Sequence, residues 1–129
     1  IPEFSQKIMS RLEPFVIHGP EETRTFCYIG DAVAAMQMLM DSAATDHQPV
    51  ETVNIGASDE KTILELAKKM FAVSGWTPRN LEFKPSSPGS AKRRRADISK
   101  IKMLVGWEPQ ISLDEGLKYT WQWYQAHPR

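Results

Sequence analysis

The chain has 129 residues, 41% of them apolar and 25% charged, and its 16 Lys and Arg balance 16 Asp and Glu. That is the composition of an ordinary globular domain, which excludes disordered, collagenous and coiled-coil chains and leaves room for one hydrophobic core. Zero net charge argues against a general nucleic-acid binder, and no apolar run approaches the ~20 residues of a membrane span. Cys27 is the single cysteine, so neither an internal disulfide nor a cysteine-rich metal cage can form. No signal peptide opens the chain, and the expectation is a cytoplasmic, mixed α/β protein with one domain over residues 1–129.

Ile1-Pro2-Glu3-Phe4 reads either as native sequence or as a remnant of expression cloning. From Lys7, the residues Ile8, Met9 and Leu12 share one face of a short helix that Pro14 stops. Phe15 to His18 reads as a strand ended by Gly19-Pro20, and Thr25 to Ile29 as a second, β-branched and aromatic strand. Asp31 is the expected N-cap of a helix with Val33, Met36 and Met40 inward, beside Ala32, Ala35 and Leu39. Thr45 to Pro49 is polar loop, and Thr52 to Ile55 a strand closed by Gly56. Thr62 and Glu65 form a capping box that opens a helix with Ile63, Leu66, Ala67, Met70 and Phe71 inward, ended by Gly75. Leu81 to Lys84 alternates like a short strand. The loop from Pro85 leads into Lys92-Arg93-Arg94-Arg95, and Ile98, Ile101, Leu104 and Val105 mark a helix stopped by Gly106. Ser112 and Glu115 make a second capping box, before Leu113, Leu117, Thr120, Trp121 and Tyr124 repeat down a last helix. The pattern is α/β or α+β.

Much familiar chemistry is missing from this text. There is no Gly-x-Gly-x-x-Gly or Gly-x-x-Gly-x-x-Gly, no P-loop, no His-Glu-x-x-His and no Cys-x-x-Cys. His18, His47 and His127 stand alone beside turns or the chain end and read as surface histidines. Cys27 reads as a small core residue. The stripe Met36-Met38-Leu39-Met40 reads as helix core, and the aromatics Tyr119, Trp121, Trp123 and Tyr124 as packing residues rather than a base-stacking surface. The basic run from Lys92 to Arg95 has two readings: a solvated face, or a source of guanidinium forks for a phosphate. Arg24, at a turn-to-strand boundary, is the second cation from a distant loop. Two such arginines converging on one ligand would suit a diphosphate.

Gly19 followed by Glu22 to Val33 resembles the Gly…Arg-x-Phe-x-Tyr-Val-x-Asp-x-Val segment of the extended short-chain dehydrogenase/reductase family. Val53-Asn54-Ile55-Gly56 is similar to that family's Tyr-Asn-Ile-Gly strand, and Thr62 to Leu66 to its Thr-Ile-x-Glu-Leu helix. Arg94-x-x-Asp97-Ile98-Ser99-Lys100, Gly106-Trp107-x-Pro109 and Leu113-x-Glu115-Gly116-Leu117 follow in family order, so the resemblance runs from Gly19 to Tyr124. Two departures stand out. The turn from Gly19 to Arg24 is one residue short and lacks a second glycine, and Gly30 stands where the family often has Asp.

The resemblance implies the small C-terminal, substrate-binding lobe of an NAD- or NADP-dependent nucleotide-sugar epimerase, dehydratase or decarboxylase. In that family an N-terminal Rossmann lobe carries the glycine-rich cofactor turn and a Tyr-x-x-x-Lys pair, and this sequence has neither. The chain itself is therefore expected to hold no cofactor and no catalytic residue. Arg24 matches the family arginine that contacts the diphosphate, and Arg94 the one that reaches phosphate or the nucleotide ribose, with Arg93 and Arg95 as rivals for the register of Arg94. Asn54, Gly56, Gly106, Trp107 and Pro109 match structural positions. The implied partners are a UDP-, GDP- or dTDP-linked sugar and the Rossmann lobe. The isolated chain is expected to self-associate through the unpaired edge at Thr52 to Ile55. The alternative readings are a non-catalytic module for a nucleotide-sugar or a protein, and a nucleic-acid contact through Lys92 to Arg95.

Overall fold

The computed structural model describes residues 1–45 and 52–127, with only the backbone of 43–45, so His47 lies outside the described residues. Two compact units emerge from it. The first takes in Ile1–Arg24, Lys61–Arg94 and Asp114–Arg129, and the second Thr25–Glu60 and Arg95–Leu113.

In the first unit, helix α1 spans Pro2–Met9. It starts earlier than the Lys7-based reading, because Pro2 at the first turn is preset for a helix and Phe4 and Ile8, four apart, are both buried. It also ends earlier, leaving Leu12 exposed. Arg11 adopts φ +49°, and the amides of Arg11 and Leu12 donate back to the carbonyls of Ile8 and Lys7 at 3.0 and 2.9 Å, the Schellman pattern that closes a helix. Strand β1, Phe15–His18, forms as expected, with Phe15 and Ile17 fully buried on its inner face. Each such burial contributes about 1.5–3 kcal/mol.

Strand β2 is Thr23–Thr25. The aromatic run that follows is not strand: residues 26–28 are irregular and a helix begins at Ile29. Strand propensity lost there because the two strands that flank β2 are only three and two residues long. Strand β3, Glu60–Thr62, was not legible in the sequence. Helix α3, Ile63–Ser74, has the expected capping box, Thr62 accepting from the Glu65 amide at 3.0 Å and Glu65 from the Thr62 amide at 2.7 Å. Gly75 closes it at φ +70°. Its buried face, Leu66, Ala67, Met70 and Phe71, packs with the inner face of β1, where the Phe15 and Phe71 rings meet edge-on at 5.0 Å. Strand β4, Leu81–Lys84, pairs in parallel with β1. Strand β5, Arg93–Arg94, joins a second sheet in the order β3-β2-β5.

The second unit holds helices α2, Ile29–Thr45, and α4, Ser99–Val105. Its core is Ala35, Ile101 and Trp107, backed by Cys27, Leu39, Val53, Ile55, Ile98 and Val105. Burial raises the Cys27 thiol pKa, as befits a packing residue. Asp31 is not the N-cap of α2. It lies in the first turn, buried, and its carboxylate accepts from the Ile111 amide at 2.9 Å. Nor are Val33, Met36 and Met40 inward: all are exposed, Met40 by 71%. Residues 52–55 carry no regular secondary structure, so the expected strand is absent there. Gly106 stops α4 at φ +69°, and Trp107 beyond it is buried. Helix α5, Leu113–Ala126, belongs from Asp114 onward to the first unit and has Leu117 buried. Tyr119 and Trp123 on it are exposed rather than packed inward. His18 and His127 are exposed, as expected.

Candidate functional site

The parallel pairing of β2 with β5 sets Arg24 directly beside Arg94, and Thr23 beside Arg93. Paired residues of neighbouring strands share a face, and the backbones run about 4.8 Å apart, so the arginines of positions 24 and 94 fall on one side of the sheet and Arg93 on the other. The basic run is therefore not a uniform surface. Lys92 anchors the pairing through its carbonyl, which accepts from the Thr23 amide at 2.9 Å. Arg94 is exposed and sits in a strand, not in the loop-to-helix junction read from the sequence. Arg95 belongs to the second unit, where its charge helps hold the Asp97 carboxylate below its ordinary pKa, after the hydroxyl and amide of Ser99.

Arg24 is far more constrained. Its side chain is 17% exposed. Nη1 donates to the Thr23 carbonyl at 2.7 Å, and Nη2 to the Glu22 carboxylate at 2.7 Å and the Ser90 hydroxyl at 3.3 Å. The Ser90 hydroxyl in turn donates to Glu22 at 2.8 Å. Hydroxyl contacts from Ser86 and Ser90, and then the Arg24 guanidinium, hold the Glu22 carboxyl below its usual pKa. Sequence reasoning missed Glu22 and both serines. The signal for Glu22 was present, since a residue two before Arg24 in extended chain lies on the same face.

The structural positions match their expected roles. Asn54 Nδ2 donates to the Asp97 carbonyl at 3.2 Å, and a Cβ on Gly56 would stand 2.7 Å from that of Ala96. No group of three His, Cys, Asp or Glu among the described residues could hold a metal ion. No described helix is long and apolar enough to cross a membrane. A dinucleotide needs a glycine-rich turn opening onto free amides at a helix start. The start of α3 is occupied by its own Glu65 carboxylate, and the sequence has no such glycine spacing.

This architecture is the C-terminal part of the short-chain dehydrogenase-type epimerase fold. It is similar to UDP-glucose 4-epimerase from Thermotoga maritima, solved with UDP-glucose, at a TM-score of 0.84 and 28% identity, covering 98% of this chain and 39% of that one. UDP-glucuronic acid 4-epimerase from Bacillus cereus, solved with UDP-glucuronic acid and NAD, gives 0.79 and 25% over 95% of this chain and 38% of that one. Residues 1–120 match the family described as GDP-mannose 4,6 dehydratase, and the chain belongs to that family. UDP-glucuronic acid decarboxylase 1 of Danio rerio is 35% identical over 113 residues, 87% of this chain. The chain spans 26% of that relative's length.

Proposed function

We propose that this chain supplies the nucleotide-sugar-binding part of an NAD- or NADP-dependent enzyme that epimerises, dehydrates or decarboxylates the sugar. The observation that carries the reading is the in-register placement of Arg24 and Arg94 on one sheet face. Two guanidinium groups so spaced suit the two phosphates of a nucleoside diphosphate, because each offers a planar donor fork that Lys lacks. The relatives' own substrates favour a UDP-linked sugar, and two of the three bear a carboxylate. Cofactor binding and the redox step belong to the remainder of a longer protein, since the three solved or curated relatives above are all much longer than this chain. The exposed seam Ile29, Val33, Met36 and Met40 on α2 is the surface that this remainder covers.

The reading is tested by titrating the chain with UDP, UMP and uridine. Affinity should rise with each phosphate and fall steeply with salt, and equal affinity for all three removes the diphosphate site. The chain alone should give no product from NAD and UDP-glucuronic acid, and no thermal shift with NAD. Turnover by the pure chain contradicts the division of labour.

A further inference from the structure

The Glu22 carboxylate, itself negative, bonds directly to Arg24, one of the two arginines of the candidate phosphate site. Glu22 is 9% exposed and is fixed from three sides. Its amide donates to the Gly19 carbonyl at 2.9 Å, its carbonyl accepts from the Ile63 amide at 2.9 Å, and its side chain lies over Gly19. Gly19 has φ +56°, and a Cβ there would come within 2.8 Å of the Glu22 carboxyl carbon and 3.0 Å of the Ser86 Cβ. Only glycine leaves the carboxylate its seat. A group held this firmly is no swinging gate.

We propose that Glu22 is a positioning residue for Arg24, aiming its guanidinium at an anion shared with Arg94. A guanidinium has five N–H donors. In Arg24, three are committed, to Glu22, Ser90 and the Thr23 carbonyl. The other two have no partner among the described residues and are left for a ligand. A long, flexible Arg side chain that is already ordered has less entropy to lose when the anion arrives. The carboxylate also offsets the repulsion between two guanidinium groups on adjacent strands, which would otherwise turn Arg24 away from Arg94. This inference rests on the diphosphate reading of those two arginines.

The test separates the two claims by reading arginine side-chain NMR signals of the 129-residue chain, with UDP as the probe. In the unmodified chain, the Arg24 Nη signals should be resolved and slowly exchanging, and should move when UDP is added. Glu22→Ala should average them and weaken UDP about fivefold or more, while Glu22→Gln, which keeps an acceptor, should stay within about threefold. Ser90→Ala gives an independent, milder loosening of Arg24 should Glu22→Ala fail to fold. An Arg24 that rotates freely in the unmodified chain overturns the proposal, as does tighter UDP binding in Glu22→Ala, which would make Glu22 a competitor for Arg24. Ordered Arg24 signals that ignore UDP leave the positioning of Arg24 standing and overturn the diphosphate reading.

Discussion

At Gly56 an added Cβ would stand 2.7 Å from the Cβ of Ala96, whereas at Gly106 it would meet nothing within 4 Å but would hold an L residue at φ +69°. The first substitution forces backbone to move and the second only strains one dihedral. Gly106→Ala should therefore cost about 1–2 kcal/mol, and Gly56→Ala more, by up to about 3. Urea denaturation of the two variants checks the order. Asp97 and Glu22 contribute to the acid limb of stability. Both carboxyls have folded pKa values below their ordinary ones, 3.8 and 4.5, so their contribution is present above those values and is lost as pH falls through the lower, folded ones. Glu22→Gln should flatten the stability profile below about pH 5, seen by denaturation across that range. A profile unchanged by Glu22→Gln means the carboxylate does not feel its neighbours.

The elements that the sequence announced are those whose signal is local. The box of Thr62 with Glu65, the glycine stops at Gly75 and Gly106, and the alternation of Phe15 to His18 each need only nearby residues, and each formed. Thr62→Ala should cost about 1 kcal/mol through loss of that cap, and a thermal melt measures it. Elements fixed by distant chain were not legible. Strands β3 and β5 are three and two residues long, with no periodicity to read, and exist because β2 lies between them. The expected strand at Thr52 to Ile55 alternates correctly, with Val53 and Ile55 half-buried, yet a strand needs a partner and none of the described residues supplies one. The candidate site was half legible. Arg24 and Arg94 were found from their family positions, but their shared face came only from the β2 to β5 register.

Over the whole molecule, the misplaced methionines are the clearest trace of something larger. Ile29, Val33, Met36 and Met40 repeat at the spacing of an inward face, yet they are exposed, and so are Met103 and Leu104 on α4. Helical periodicity identifies an apolar face but not what covers it. In the isolated chain, this face should drive self-association in place of the edge at Thr52 to Ile55. Sedimentation should show a concentration-dependent dimer or larger species, and Met36→Lys with Met40→Lys should return a monomer. An unmodified chain that stays monomeric at hundreds of micromolar contradicts this.

The central claim, that Arg24 and Arg94 together grip a diphosphate, is tested most directly by calorimetry of UDP-sugar binding to the full-length parent and its Arg24→Ala, Arg94→Ala and Arg95→Ala variants. A charge-assisted bond to phosphate contributes roughly 1.5–3 kcal/mol, so the first two should weaken binding on the order of tenfold to a hundredfold. Arg95→Ala should stay within about 0.5 kcal/mol, as a surface change does. Affinity for NAD should be unchanged in all three. Near-unaltered UDP-sugar affinity in both Arg24→Ala and Arg94→Ala contradicts the account.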